Sequence, residues 1–448
     1  MASNNSPNEL ETQKIGTLLW QYSIPAIVAT AAASLYNIID RIFIGQGVGP
    51  LAISGLALTF PLMNLAAAFG ALVGAGASTL VSIRLGEKRR QQAILVLGNT
   101  LLLNIILSTS FSIIVLFFLD KVLYILGASK DTLPYAREFM QVILAGNVFT
   151  HIYLGLNNIM RSSGYPRKAM ITTLVAVGAN LILAPLFIFV FKWGIRGAAA
   201  ATVCAQFIGT MIVLFHFMKR HSYVRFLPGY FKLKFQIIKD IFSIGMSNFL
   251  MLTTSSLIII ILNLSLAKYG GDYAIGAFGI INSLSNLFVM IVIGFNQGMQ
   301  PIAGYNYGAR KYQRVAQVYK RTIINASMVA AVAFILAEGF PRYIAAAFTT
   351  NNELINLAVI GMRITMLSFL VDGFQIVTAS FFQSIGKAKI SILISLLRQV
   401  LLLIPALLIL PRFLGLNGVW GAIPVADFTA ATVTFIVIKS QFHKIIKP

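Results

Sequence analysis

A few ionisable side chains lie deep inside long apolar stretches: Asp40, His151, Arg363, Asp372, Arg398 and Asp427. An ionised group in hydrocarbon is costly, so such a residue pairs with another, faces a cavity or marks an ion path. Asp40 is the most isolated, flanked by Ile38, Ile39 and Ile42. Its neighbour Arg41 is a poor partner, because adjacent residues leave a helix on different sides. Asp40 therefore reads as a carboxylate that holds a mobile cation or proton. At 1.5 Å per residue, Asp40, Ala184 and Thr202 fall roughly 8–12 Å from the outer ends of their helices. Asn180 is one turn deeper than Ala184, on the same face, so a carboxylate and a hydroxyl lie at matching depths with an amide one turn below. Arg398 and Asp427 share a depth of roughly 18–20 Å, which predicts a structural ion pair. Asp372 has Arg363 or Arg398 as possible partners. His151 reads as a hydrogen-bonded packing residue.

The elements that hold these residues are membrane-spanning helices. Mean hydropathy is +0.82, and only 11% of residues are charged, whereas a water-facing surface needs about a quarter. Apolar runs recur at about 16–44, 52–80, 92–119, 136–160, 168–191, 195–218, 238–266, 274–303, 318–338, 355–382, 388–410 and 418–438, each long enough to cross hydrocarbon as a helix. The first run follows a polar start without a small-residue cleavage site and is expected to remain as the first helix. The net charge of +22 would suggest nucleic acid in a soluble protein. Here the basic residues sit in short loops, where they set orientation and meet anionic lipid headgroups, so no nucleic-acid partner is expected. About 24 of the 35 Lys and Arg fall with the N-terminus and every second loop, which predicts that both termini are cytoplasmic. Trp193 and Trp420 then lie at outer helix ends as interfacial aromatics. Cys204, the single cysteine, is expected as a buried thiol. Pro25 removes a hydrogen bond in the cytoplasmic half of the first helix and marks a possible hinge. No phosphate-binding loop, metal-ligand cluster or paired carboxylates suggest an enzyme.

An internal repeat organises the chain. Ala52-Ile53-Ser54-Gly55-Leu56-Ala57-Leu58 aligns with Ala274-Ile275-Gly276-Ala277-Phe278-Gly279-Ile280, an offset of 222. The same offset pairs Leu85-Gly86-Glu87-Lys88 with Tyr307-Gly308-Ala309-Arg310, and Ser163-Gly164 with Ile385-Gly386. It drifts by one where Gly194 and Gly197 meet Gly415 and Gly418. The offset spans an even number of helices, so the repeats are parallel. The expected fold is an all-α polytopic membrane protein of twelve helices in two pseudo-symmetric six-helix lobes, 1–222 and 223–448, joined by a Lys- and aromatic-rich linker.

Several of these runs resemble the MATE (multidrug and toxic compound extrusion) family. They are Tyr36-Asn37-Ile38-Ile39-Asp40-Arg41-Ile42-Phe43-Ile44-Gly45, Asn180-Leu181-Ile182-Leu183-Ala184-Pro185, and Gly194-Ile195-Arg196-Gly197. Gln300-Pro301-Ile302-Ala303-Gly304-Tyr305-Asn306-Tyr307-Gly308 and Arg398-Gln399 with Ile404-Pro405 are similar to the MepA-like group of its DinF branch. The resemblance implies alternating access and export of diverse, often cationic, drugs in exchange for sodium ions or protons. It implies cation binding at Asp40. No enzymatic cofactor is expected, and the protein is expected as a monomer in the cell's inner membrane. The family pattern commonly has a second aspartate where this chain has Ala184. A sodium ion needs several oxygen ligands, for which Asp40, Asn180 and Thr202 are the candidates with backbone or water. A proton needs only one carboxylate, so the loss at position 184 favours protons. Tyr36, Asn37, Asp372 and Met290 are the expected substrate-cavity residues, since thioethers, aromatics and a carboxylate suit flat cations. A lipid-linked saccharide flippase of similar fold is the alternative. It would need several cavity cations for a pyrophosphate, and only Arg363 and Arg398 are available.

Overall fold

The computed structural model describes residues 7–220 and 222–446. The expectation that both termini are cytoplasmic rests in part on residues outside these. The described residues form twelve long helices: α1 (Ile15–Gly47), α2 (Pro50–Gly86), α3 (Arg90–Phe117), α4 (Leu133–Ser162), α5 (Pro166–Val190), α6 (Gly194–Met218), α7 (235–270), α8 (272–308), α9 (Tyr312–Gly339), α10 (Asn352–Ser384), α11 (Ala388–Leu414) and α12 (Leu416–Ile446). α7 and α8 are continuous except at Gly271, whose φ of 65° and ψ of −164° break the helix. Large apolar side chains cover the outside, including Ile38, Phe117, Ile182, Val190, Phe413 and Phe435, all more than half exposed. Such a surface belongs in lipid, and the chain is a multi-pass membrane protein.

Duplication is visible in the backbone. Left-handed residues recur at the sequence offset: Gly49 with Gly271, Lys88 with Arg310, and Gly164 with Gly386. Gly194 and Gly415 follow with the drift of one. Short helices begin at Leu119 and, 222 residues later, at Pro341. The twelve helices thus form two pseudo-symmetric sets of six. One buried apolar core includes Leu123, Phe139, Met140, Ala184, Ile188 and Ala198; the other includes Met362, Phe369, Leu407 and Trp420.

The chain separates into two compact units, and these do not run with its linear halves throughout. One contains 7–13 and Val28–Leu252, the other 14–27 and 253–446. The start of α7 belongs to the first unit because glycines admit it: a Cβ on Gly76 would strike the Ile241 carbonyl oxygen, and one on Gly245 would strike that of Leu72. The start of α1 belongs to the second unit for the same reason. Gly294 and Gly298 of α8 lie against Ile27 and Ser23, with no room for a side chain.

Two expected facings are corrected. Trp420 is fully buried rather than interfacial, packed against Phe278 with ring centroids 6.4 Å apart and against Gly361. Trp193 is 53% exposed. Cys204 is exposed on α6 rather than buried. Gly76→Val and Gly245→Val should each cost about 1–3 kcal/mol by overpacking, read as a lower thermal midpoint in detergent. Gly279→Ala, whose Cβ would meet nothing within 4 Å, should leave the midpoint unchanged or raise it slightly.

Candidate functional site

α1 turns Ile38 and Ile42 outward, 59% and 49% exposed, and Asp40 inward, 8% exposed. No ion pair joins Arg41 to Asp40 among the described residues: the Arg41 guanidinium lies over the Phe60 ring, 5.9 Å from the centroid. Tyr36 is one turn before Asp40 on the same face. Its hydroxyl stands 3.5 Å from Thr202 Oγ1 on α6. Asn180 Nδ2 on α5 donates to that same Oγ1 at 3.2 Å, and Thr202 donates to the Ala198 carbonyl, also at 3.2 Å. Three helices of one unit are thereby joined through one hydroxyl. From sequence, Tyr36 is expected only among the cavity residues. Its spacing of four from Asp40 was the signal that it shares the aspartate's face.

Two oxygens here accept no hydrogen bond among the described residues. Asp40 Oδ1 and Asn180 Oδ1 are both buried and have no donor. A buried acceptor without a donor costs about 1–3 kcal/mol, more if charged, so both oxygens suit a proton or a cation. Thr202 offers less, because its lone pairs already face the Asn180 amide and the Tyr36 hydroxyl. Ala184 is fully buried and supplies only a methyl group. Just beyond it, Pro185 is followed by a π-helical turn, Leu186–Val190, a type of irregularity frequent at functional sites.

The other expected residues are distributed as follows. Pro25 is buried within α1, which remains continuous through it; the unit boundary at Ile27 and Val28 follows two residues later. Asn37 is exposed, and its amide donates to the Ala33 carbonyl at 2.8 Å. Met290 is half-buried on α8. His151 is 1% exposed and lies 3.8 Å from where a Gly70 Cβ would be.

In the second unit, Arg398 binds two carboxylates. Its Nε and Nη2 reach Asp427 Oδ1 and Oδ2 at 2.6 and 3.1 Å, and Nη2 lies 3.1 Å from Asp372 Oδ1. Ser368 donates to Asp372 Oδ2 at 3.3 Å, and Gln375 donates to the Asp427 carbonyl at 2.7 Å. Arg398 stands on a second π-helical segment, Leu397–Leu403, which nothing in the sequence announced. Arg363 takes no part: it is 59% exposed and lies 3.9 Å from Glu338.

This group has one guanidinium for two carboxylates, which orders the cost of its substitutions. Arg398→Met strands both carboxylates and should cost about 3–5 kcal/mol. Asp427→Asn leaves a one-to-one pair with Asp372 and should cost less. Thermal unfolding in detergent checks the order; equal midpoints for the two variants would contradict the arrangement.

Similarity to known proteins extends along nearly the whole chain. The MatE family model matches residues 25–186 and again 247–408, two matches displaced by the same 222 residues. The chain is 28% identical to the multidrug export protein MepA of Staphylococcus aureus strain MSSA476 over 428 residues, covering 96% of this chain and 94% of that protein. Against MepA of Staphylococcus haemolyticus it is 27% identical over 435 residues, covering 97% and 96%. A multidrug resistance MATE family transporter of the MOP superfamily, solved in an outward-facing conformation, superposes with a TM-score of 0.92 at 25% identity, covering 98% of both chains. With the repeat, the twelve helices and both matched segments in agreement, the chain belongs to the MatE family.

Proposed function

We propose that this protein exports small amphipathic or cationic drugs across the cell's inner membrane in exchange for a cation, by alternating access of the lobes 1–222 and 223–448. The carrying observation is Asp40: a buried carboxylate with no ion pair to Arg41, with a second donor-free oxygen on Asn180 in the same unit. The multidrug export named for the relatives supports the substrate class. Both termini lie in the cytoplasm, the protein works as a monomer, and Tyr36, Asn37, Asp372 and Met290 meet the drug.

The coupling ion in this reading is a proton. Sodium needs several hard oxygen ligands, while Ala184 offers none and the Thr202 hydroxyl is already committed. One proton requires one carboxylate. Drug binding and protonation compete through Asp40, and Tyr36 carries the change across Thr202 to Asn180. Pro25 gives α1 a place to bend, two residues before the chain passes from one compact unit to the other. The flippase alternative is weakened because Arg398 is held by two carboxylates and Arg363 is exposed beside Glu338.

A charge crossing the membrane gains about 2.3 kcal/mol per 100 mV, which a neutral residue at position 40 cannot use. In proteoliposomes with imposed proton or sodium gradients, Asp40→Asn should abolish gradient-driven export while the variant still binds drug. Export against a gradient by that variant would end this reading. Pro25→Ala should slow export several-fold at normal expression; an unchanged rate would leave Pro25 a static feature of α1.

A further inference from the structure

Residues 219–239, from the end of α6 into the first turn of α7, hold six Lys and Arg without one Asp or Glu. Residues 222–234 are docked, not loose. Asn99 of α3 is fully buried, and its amide takes both sides of the strap: Nδ2 donates to the Lys232 carbonyl at 3.0 Å, and Oδ1 accepts from the Lys234 amide at 2.9 Å. One side chain thus imitates a neighbouring parallel strand facing residue 233, which requires the strap to be extended there. Gly98 lets the Tyr230 carbonyl approach α3, and Phe226 stacks on Phe231 with centroids 5.4 Å apart. Upstream, Arg90 Nε donates to the Tyr223 carbonyl at 2.7 Å.

An extended strap sends alternate side chains to opposite sides. Phe231, Leu233 and Phe235 share one side and are 42%, 45% and 80% exposed. Lys232 and Lys234 share the other. These two lysines, with Lys219, Arg220 and Lys239, are exposed, and no carboxylate lies within ion-pair distance of them among the described residues. The strap leaves the end of one membrane-spanning helix and enters the next, so it lies at headgroup level. Met218 at the end of α6 is likewise 65% exposed.

We propose that this strap is a built binding site for anionic phospholipid, with the lysines on the phosphate-bearing headgroups and Phe231, Leu233 and Phe235 in the acyl boundary. The pairing of unneutralised basic groups with an exposed apolar row selects this partner. Neutral lipid answers only the apolar row, and a soluble anion only the lysines. Clamping by Asn99 presents both rows together.

The test uses the full-length protein and does not depend on transport, so it stands apart from the proposed exchange. A nitroxide is placed at Leu233→Cys in a Cys204→Ser background, in nanodiscs of phosphatidylcholine alone or with a quarter phosphatidylglycerol. Collision with oxygen should rise, and collision with a water-soluble nickel chelate fall, when phosphatidylglycerol is present. Native mass spectrometry in detergent should show phosphatidylglycerol retained over phosphatidylcholine. Lys219→Gln, Lys232→Gln and Lys234→Gln together should lower that affinity about a hundred-fold, at about five-fold per charge. Equal retention of the two lipids, or undiminished phosphatidylglycerol binding by the triple variant, would overturn the site.

Discussion

A charge taken into hydrocarbon must be matched by a partner, and the two units of this protein meet that demand in opposite ways. In the second unit, Arg398 closes on Asp427 through two hydrogen bonds and reaches Asp372 at 3.1 Å, with Ser368 adding a neutral donor to Asp372. Little is left over beyond one negative charge. In the first unit, Asp40 is buried without comparable compensation, since Arg41 turns to the Phe60 ring. A fixed partner would lower the cost of burying Asp40 but would also hold it in one state. A transporter needs a site whose charge can be exchanged.

This contrast arose within a duplicated chain. At the repeat offset, Asp40 corresponds to Leu262, Asn180 to Leu402 and, with the drift of one, Thr202 to Ile423. In reverse, Asp372 corresponds to Thr150, Arg398 to Ala176 and Asp427 to Gln206. Each ionisable group therefore sits in one repeat only, with uncharged residues at the matching places in the other. The shared scaffold is the backbone: the same left-handed turns and the same short helix after the third span of each repeat. α5 and α11, which correspond, both carry π-helical segments but at different levels, after Ala184 in one and around Arg398 in the other.

Much of the fold was legible because lipid imposes a simple rule: every span must be an apolar helix. The helix count, the 222-residue repeat and the placing of Asn180 within a turn of Thr202 all follow from counting along such helices. The Arg398–Asp427 contact could be anticipated from depth as well. Rotation about a helix axis is less legible, because it depends on which neighbour packs where. Trp420 was expected at the interface but is drawn inward beside Gly361, and Cys204 was expected inside but lies outside. The assignment of 14–27 and 235–252 to the opposite units was equally hidden. It rests on glycine contacts between residues distant in sequence, such as Gly245 with Leu72 and Gly298 with Ser23. Nor does composition reveal that Asn99 would clamp the linker, since a lone Asn in an apolar helix has many possible partners.

Proton release on drug binding tests the central claim most directly. Purified protein in weakly buffered, sodium-free detergent solution is mixed with a cationic drug, and the pH change is followed with an indicator dye. The account predicts that the wild type releases up to one proton per bound drug, that Asp40→Asn binds drug without releasing it, and that added sodium changes neither result. Undiminished release from Asp40→Asn, or release from the wild type that appears only with sodium, would contradict it.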